Sequence, residues 1–319
     1  MTSPSRIVSL ISSATEILYL LGLGDRVVGV SHECDFPPDA CTKPRLTRSN
    51  VDSTVGSRSI DEQVKSLLVG GLPLYEMDAS RLVALKPDLI ITQAQCDVCA
   101  IRYEDVAALV RDQPSLRDVP LVALNPRSLS DVLTDIQNVA DLAGASAIGQ
   151  RVVGEFSARV SKVQNKSGLL AFGELPRVAC IEWTDPLMLA GNWMPELVRF
   201  AGGRHDLTQA GIHSGYSSWD ALIGYNPQVI MVMPCGFGLG RSVTEAAALA
   251  ERTEWADLEA VRTGRVFAVG ANAYFNRSGP RLVETLELLA HLIHPNLFDL
   301  PTLSLSPAYQ SCLTQGGLT

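Results

Sequence analysis

Short runs of consecutive apolar residues alternate along the chain with segments whose apolar residues recur every three or four positions. The runs predict buried strands, and the segments predict amphipathic helices. In the first half, strands are expected at 6–11, 27–31, 74–77, 88–92 and 120–124. Near residue 177 the alternation restarts, and strands are expected at 178–183, 228–233 and 265–270. Strands that alternate with helices in this way are typical of parallel sheets in α/β domains.

Between these halves, residues 129–166 carry no strand pattern. Apolar residues recur there at helical spacing and predict one helix of about 20 residues, roughly 30 Å long. The residues of this stripe are Ile148, Val152, Phe156, Val160 and Val163. We therefore predict an α/β fold of two Rossmann-like lobes with parallel sheets, joined by a single long backbone helix, with a ligand cleft between the lobes.

The predicted domain organisation follows from this pattern. Two segments, 82–96 and 222–236, share the order helix, proline, buried strand and cysteine-bearing loop, which supports two similar lobes. The predicted parts are an N-terminal lobe over 1–128, connecting helices over 129–168, a C-terminal lobe over 169–300 and a peripheral tail over 301–319. In the first lobe, Ser13 followed by Glu16 has the spacing of a capping box and predicts a helix start at Ser13.

Composition narrows the class of protein. The 319 residues are 46% hydrophobic and 19% charged, with a net charge of −8, which describes a globular protein without a nucleic-acid surface. Seven irregularly spaced cysteines suit a reducing compartment better than a disulfide framework. The N-terminus lacks the pattern of a secretory signal. We therefore expect a cytoplasmic protein, or a periplasmic one if a leader has been removed.

The loop "SHECDFPP" places His32, Glu33 and Cys34 side by side after a predicted strand. A neutral imidazole in such a loop can bind a metal centre or the polar rim of a ligand. It can equally pack and hydrogen-bond within the loop. Both interpretations stay open at this stage.

A C-x-x-C pair, Cys96 and Cys99, follows the strand at 88–92. One such pair supplies half of a four-ligand zinc site, and no second pair is present. His32, Cys34 and Cys235 are the residues that could complete a metal or Fe–S site. The alternatives are a redox pair and packed thiols that line a cleft.

Aromatic and amide side chains are frequent in the loops expected at strand ends. Trp183 and Trp193 flank the loop "WTDPLMLAGNW", and Phe237, Asn272 and Tyr274 lie in later loops. Large flat ligands are bound by aromatic walls with a few polar contacts. The Gly-rich turn "CGFGLGRS" can present backbone N–H groups to a phosphate or carboxamide. Because neither G-x-S-x-G nor H-E-x-x-H occurs, we expect no enzymatic activity.

The segments "RIVSLISSATEILYLLGLGDRVVGVS" and "LVALKPDLIITQ", the single connecting helix and the restart near Arg177 resemble one family. It is the helical-backbone (class III) family of periplasmic-binding-protein-like, ABC-transporter substrate-binding proteins, and the match spans roughly residues 6–293. Within that family, "SHECDFP", "QCDVCA", "WTDPLMLAGNWMPELVRFAGG" and "NAYFNRSGPRLVE" resemble the cobalamin-binding branch.

The resemblance implies a non-catalytic protein that binds a cobalamin-like corrinoid in the cleft. Haem or a siderophore is the alternative ligand, and a metal- or Fe–S-binding thiolate protein with a redox role is the alternative class. The expected ligand-binding residues are Ser13, His32, Glu33, Gln95, Cys96, Trp183, Trp193, His213, Phe237, Asn272 and Tyr274. His32 is a candidate axial ligand to cobalt, and the thiolate alternative uses Cys34, Cys96, Cys99 and Cys235.

Partner binding is expected to depart from the family pattern. Members that dock on ABC-transporter membrane subunits carry an exposed acidic residue on each lobe. Ser80 occupies that position in the first lobe, and Asp220 keeps an acid in the second. We therefore expect a small-molecule ligand, no nucleic acid and doubtful docking on a transporter.

Overall fold

A computed structural model describes residues 3–95, 98 and 100–312 of the chain, which divides into two compact units. Unit 1 consists of Met1–Pro126, Ser130–Glu155 and Ser278–Pro280. Unit 2 consists of Arg127–Leu129, Phe156–Arg277 and Arg281–Thr319. Both units combine a sheet with helices, which confirms the α/β fold class. The domain boundaries at residues 128, 168 and 300 stay predictions.

The strands of unit 1 are short and mostly buried. They are β1 (Ile7–Ser9), β2 (Val27–Val30), β3 (Thr47–Ser49), β4 (Tyr75–Met77), β5 (Leu89–Gln93) and β6 (Leu121–Leu124). A parallel sheet has the order β2-β1-β5-β6, and β3 pairs with β4 in a separate antiparallel ribbon. A core cluster that includes Val8, Leu82, Ile90 and Val106 packs in this unit, as expected for strands that read as continuous apolar runs.

Helices follow most of these strands. They are α1 (Ser12–Leu20), α2 (Ser57–Val69), α3 (Ala79–Ala84), α4 (Tyr103–Asp112), α5 (Leu129–Leu142) and α6 (Ser146–Ser167). Shorter 3₁₀ turns lie at Gly24–Arg26 and Pro38–Thr42. The 22-residue α6 is the long helix that the apolar stripe predicts, and the boundary between the units falls inside it, after Glu155.

The start of α1 differs from the capping-box prediction. The helix begins at Ser12, and its N-cap residue is Ile11, which makes no side-chain cap. Ser12 instead donates its hydroxyl hydrogen to Glu33 O at 3.0 Å. The prediction is wrong because Ser13 already lies inside the helix, which puts Glu16 more than one turn from the N-cap.

Unit 2 contains a mixed sheet. Its strands are β7 (Val178–Trp183), β8 (Met188–Leu189), β9 (Gly215–Tyr216), β10 (Val229–Val232), β11 (Val266–Val269) and β12 (Tyr309–Ser311). The order is β12-β11-β10-β7-β8-β9, in which β7, β10 and β11 are parallel and the other pairings are antiparallel. The expected parallel strands are at the centre of this sheet, and antiparallel strands extend it on both sides. The expected peripheral tail also contributes β12, which pairs with β11.

The helices of unit 2 are α7 (Met194–Phe200), α8 (Trp219–Tyr225), α9 (Leu239–Leu249), α10 (Glu259–Arg262) and α11 (Leu282–Ile293). Single turns lie at Phe172–Glu174, Thr253–Asp257 and Ala271–Phe275, and the last of these is π-helical. The unit packs around a core cluster that includes Ile181, Leu222, Ile230 and Trp255. Within the described ranges, none of the helices combines the length and the apolar character that a membrane crossing requires.

Candidate functional site

The carboxyl edge of the unit 1 sheet is the place where its strand order reverses. The chain forms β2 on one side of β1 and later forms β5 on the other side. In open α/β sheets, ligands bind outside the carboxyl ends of the strands at such a reversal. Ser31 N donates to Ser9 O at 3.0 Å and Leu10 N donates to Ile91 O at 2.8 Å, so the chain leaves these strands side by side. This edge is the candidate site of unit 1.

His32 lies at this edge, directly after β2, with both ring nitrogens in contact with neighbours. Its backbone N–H donates to Thr47 Oγ1 at 3.0 Å, and Nδ1 lies 2.7 Å from the same oxygen. Nε2 is buried and lies 3.3 Å from Glu33 Oε1, close enough for an ion pair but not aligned as a hydrogen bond. We assign the Thr47 hydroxyl hydrogen to Nδ1 and the ring proton to Nε2. The axial-ligand role of His32 stays a prediction, and it requires Nε2 to give up its proton and its contact with Glu33 while Nδ1 keeps Thr47.

Two further buried hydroxyls at this edge have no hydrogen-bond partner among the described groups. They are Ser13 Oγ, in the first turn of α1, and Thr92 Oγ1, near the end of β5. Buried polar atoms in native proteins are nearly always paired, so unpaired atoms that gather at one edge indicate a functional site. Ser13 was predicted from the sequence, whereas Thr92 was not.

The loop after β5 is braced by a glutamine that the sequence analysis missed. Gln93, buried at the end of β5, donates from Nε2 to Ile101 O at 3.1 Å and accepts from the backbone N–H of Gln95 at 2.6 Å. A polar residue at the end of the apolar run "LIITQ" was the available signal. Gln95 itself is half-buried in this loop. Cys96 and Cys99, the predicted C-x-x-C pair, lie outside the described residues.

The described thiols of the metal hypothesis lie in different units. Cys34, in unit 1, is fully buried and accepts a hydrogen bond from Thr15 Oγ1 at 3.1 Å. Cys235, in unit 2, is half-buried and donates its backbone N–H to Glu182 O at 3.0 Å. Across the described parts of the chain, no three His, Cys, Asp or Glu side chains are grouped as a metal site requires. The thiolate alternative stays a prediction.

In unit 2, aromatic rings gather at the carboxyl ends of the parallel strands. Trp183 ends β7, and its ring centroid lies 5.3 Å from that of Phe237, in the loop after β10. The guanidinium of Arg241, in the first turn of α9, lies 3.6 Å from the Phe237 centroid. Asn272, after β11, donates its backbone N–H to Phe237 O at 3.0 Å and accepts from Arg277 at 3.1 Å. These contacts tie three strand-end loops into one aromatic and cationic cluster, in which the Trp183 and Phe237 rings are buried.

Two further predicted site residues, Trp193 and Tyr274, are also buried in unit 2. The Trp193 side chain is 4% exposed and donates from Nε1 to Phe275 O at 2.9 Å. The Tyr274 side chain is 1% exposed, and its hydroxyl hydrogen-bonds Leu305 O and N, each at 2.6 Å. Both residues brace the π-helical turn after β11. π-Helical turns occur frequently at functional sites.

A second loop is attached to the end of β7 through Ser214. Its Oγ donates to Glu182 Oε2 at 2.7 Å and accepts from Gly191 N at 2.9 Å. His213, the neighbouring residue and a predicted ligand contact, is exposed. Ser214 and Glu182 were not predicted from the sequence, although Glu182 interrupts the apolar run "VACIEW".

The two positions compared with transporter-docking acids are both on the surface. Ser80 is exposed on α3, and Asp220 is exposed in the first turn of α8. The absence of a carboxylate at Ser80 is a property of the sequence itself. Its consequence for docking stays a prediction.

Two cavities of unit 2 lie at the opposite, amino-terminal edge of its sheet. Their volumes are about 250 and 490 Å³, and Leu170 lines both. Ser167 Oγ donates to Phe200 O at 2.6 Å, Arg265 donates to Ile293 O at 2.7 Å, and His294 Nε2 lies 2.8 Å from Gly202 O. These polar groups complete the ends of helices α7 and α11. We therefore assign the candidate site to the carboxyl edges and not to these cavities.

Comparison with known proteins shows one family across most of the chain. The family model described as periplasmic binding protein matches residues 7–273. An uncharacterized ABC transporter substrate-binding lipoprotein of Bacillus subtilis, YvrC, is 25% identical over 303 residues, which cover 92% of this chain and 82% of that protein. The vitamin B12-binding protein of Vibrio cholerae is 23% identical over 292 residues, which cover 88% of this chain and 86% of that protein.

The fold agrees with a solved structure of the same kind. The periplasmic heme-binding protein RhuT from Roseiflexus sp. RS-1, in apo form, has a TM-score of 0.67 to this chain at 25% identity, covering 91% of this chain and 98% of that one. The relatives are periplasmic or lipoprotein binding proteins, so the expected cytoplasmic location finds no support among them.

Proposed function

This chain belongs to the periplasmic binding protein family, and we propose that its ligand is a corrinoid of the cobalamin type. Members of the family are non-catalytic transport components. Substrate-binding proteins of ABC transporters bind small molecules and interact with the membrane components of the transporter. The likeness to the vitamin B12-binding protein of Vibrio cholerae, along 88% of this chain, supports a corrinoid ligand.

A binding role is supported most directly by the carboxyl edge of the unit 1 sheet, where the loops after β1 and β5 leave the sheet. Two buried hydroxyls, Ser13 Oγ and Thr92 Oγ1, have no partner there among the described groups. Trp183, Phe237 and Arg241 form an aromatic and cationic cluster at the carboxyl ends of the parallel strands of unit 2, in which both rings are buried. Aromatic faces combined with a few polar groups suit a large flat ring whose rim carries amides.

The state of His32 favours a corrinoid over haem. Haem iron is held in proteins by a side-chain ligand such as His, Cys, Met or Tyr. The cobalt of cobalamin, by contrast, brings its own lower ligand in the nucleotide base. His32, which the sequence analysis names as the candidate axial ligand, has both ring nitrogens in contact with Thr47 and Glu33. A ligand that needs no protein nitrogen fits this arrangement better.

Haem is the second candidate, because the similar structure from Roseiflexus is a heme-binding protein. Its binding would require an axial side chain. His32 could serve through Nε2, with Nδ1 still bonded to Thr47 Oγ1 at 2.7 Å, once Nε2 gives up its proton and its contact with Glu33. Haem therefore requires a ring nitrogen of His32 as axial ligand, whereas cobalamin does not.

Parallel titrations with cyanocobalamin and haemin test the proposal. We expect calorimetry to give one cyanocobalamin per chain and absorption spectra to show weaker, non-stoichiometric association of haemin. Stoichiometric haemin binding without any heat from cyanocobalamin would show that the ligand is haem and not a corrinoid.

The His32→Gln variant tests whether the imidazole coordinates a metal or only makes contacts within its loop. Glutamine keeps a polar side chain but offers no ring nitrogen to cobalt or iron. If the corrinoid keeps its own axial ligands, the visible bands of bound cyanocobalamin will be the same in both proteins. A shift of those bands in His32→Gln would show that His32 coordinates cobalt.

A further inference from the structure

The loop after β2 lies against a short segment that precedes and begins β3. Val30 N donates to Pro44 O and Leu46 N donates to Val30 O, each at 2.9 Å. Two positions further, His32 N donates to Thr47 Oγ1 at 3.0 Å. Residues 30–32 therefore run alongside residues 44–47 and are hydrogen-bonded to them.

Arg45 lies within the segment 44–47, and its side chain binds backbone carbonyl groups of the loop. Its Nη1 donates to Ser31 O at 2.8 Å, to His32 O at 3.2 Å and to Cys34 O at 2.6 Å. Nη1 carries two hydrogens, so the three carbonyl groups share them. Hydrogen bonds from a charged donor are roughly twice as strong as neutral ones. Three carbonyl groups that converge on one cationic nitrogen fix the curvature of the loop.

Arg45 is itself held in place and directs its charge at these carbonyl groups. Its backbone O accepts from Arg81 Nη1 at 2.8 Å. Among the described residues, Arg45 makes no ion pair with a carboxylate. A neutral amide such as glutamine also has two hydrogens on one nitrogen, but its hydrogen bonds to three carbonyl oxygens would lack the charge that strengthens those of Arg45.

We propose that Arg45 is the positioning residue of the binding site: its guanidinium holds the loop Ser31–Cys34 in the conformation that binds the ligand. The inference rests on the proposed function, because it gives the loop a part in binding the corrinoid. Arg45 itself acts through the loop backbone. Its role differs from that of the side chains predicted to contact the ligand.

The consequence of losing Arg45 follows from loop populations. Without the guanidinium, Ser31 O, His32 O and Cys34 O lose the Arg45 donor, Ser31 O keeps a bond from Cys34 N at 3.3 Å, and the loop samples open conformations. The apparent Kd rises by the inverse of the fraction that remains competent to bind. If the loop is competent only a tenth of the time, the ligand binds about tenfold more weakly.

Thiol labelling of Arg45→Gln measures loop order without any ligand. Cys34 is fully buried within this loop, whereas an open loop exposes its thiol to N-ethylmaleimide. We expect Cys34 to be labelled at least about tenfold faster in Arg45→Gln, as measured by peptide mass spectrometry. Amide exchange in β1 and β5 should stay as slow as in the parent, because the sheet itself does not depend on Arg45.

Arg26→Gln is the matched control. Arg26 also donates from Nη1 to backbone carbonyl groups, Pro4 O at 3.2 Å and Ala143 O at 2.9 Å, at the other end of β2. This variant should leave Cys34 protected. Arg45→Lys keeps the charge with a single donor group and should restore part of the protection, so it also serves if Arg45→Gln fails to fold. Cys34 as protected in Arg45→Gln as in the parent, or sheet amides that open together with Cys34 in both Arg45 variants, would overturn the proposal.

Binding of cyanocobalamin completes the test. We expect the Kd to rise at least about tenfold in Arg45→Gln, to recover partly in Arg45→Lys and to stay unchanged in Arg26→Gln. An exposed Cys34 combined with an unchanged Kd would overturn the role of the loop in binding. If the parent protein itself binds no cyanocobalamin, the proposed function fails, whereas the labelling result still decides whether Arg45 orders the loop.

Discussion

At the scale of single residues, some roles are visible in the sequence and others arise only from contacts. His32 and Trp183 can be selected by residue type and by their place after an apolar run. Arg45 and Gln93 act through backbone carbonyl groups that lie 11 and 8 positions away along the chain. A loop arginine that bonds to carbonyl oxygens leaves no periodic pattern. The sequence therefore predicts residues with distinctive side chains, such as His32 and Trp183, better than the residues that hold the loops in place.

Gly191, at the start of the "GNW" turn, is a residue whose role is steric. A Cβ atom there would lie 2.2 Å from Ile212 O and 2.8 Å from Ser214 N, both of them backbone atoms. Overpacking against a rigid neighbour costs typically 1–3 kcal/mol. We expect Gly191→Ala to lower the free energy of unfolding by about 2 kcal/mol, measured by urea denaturation.

Gly215→Ala is the control for this substitution, because Gly215 directly follows Ser214, which Gly191 contacts, and a Cβ at Gly215 meets nothing within 4 Å. Its stability should stay within about 0.5 kcal/mol of the parent. Equal effects of the two alanines would show that the turn can move away from Ile212.

At the scale of helices and strands, the length of the periodic pattern decides how well an element can be predicted. The stripe from Ile148 to Val163 is long, and α6 (Ser146–Ser167) follows it. The strands β8 and β9 have two residues each, which is too short to show any period. The start of α1 was misplaced because Ser12, Ser13 and Glu16 allow more than one capping register.

On helix α5, Asp135 gives a pH-dependent prediction. Its Oδ2 is buried without a partner among the described groups. Burial raises the pKa of Asp135 from 3.8 to about 6, and the nearby Asp131 carboxylate contributes further. Between about pH 4 and pH 6, the unfolded chain is ionised at this position while the folded chain keeps its proton. The free energy of unfolding therefore falls as the pH rises through this window.

Asp135→Asn should remove this penalty. We expect the variant to be about 1–2 kcal/mol more stable than the parent at pH 7 and no more stable below about pH 4, after allowance for partial solvent screening. Thermal unfolding across the pH range measures the difference. Asp141→Asn, at an exposed carboxylate of the same helix, should show no such pH-dependent gain. If the stability of Asp135→Asn and of the parent depended on pH in the same way, the prediction that the buried Asp135 carboxylate destabilises the fold would be contradicted.

At the scale of the whole molecule, the sequence predicts the fold class and the family. Both are confirmed, because the α/β alternation and the family motifs extend along most of the chain. The mixed character of the unit 2 sheet was not predicted, because its antiparallel strands are β8 and β9, of two residues each, and β12, from the segment after Pro301 that carries no apolar run. The ligand is the finer question, since the relatives include vitamin B12-binding and heme-binding proteins.

The central claim is that the chain binds a corrinoid through loops at the carboxyl ends of its parallel strands. Amide hydrogen exchange with and without saturating cyanocobalamin tests it most directly. We expect slower exchange in the loops at 31–36, 184–187, 233–238 and 270–276 and unchanged exchange around the amino-edge cavities at 168–176 and 294–297. Exchange that cyanocobalamin leaves unchanged throughout, or protection confined to the amino-edge cavities, would contradict the claim.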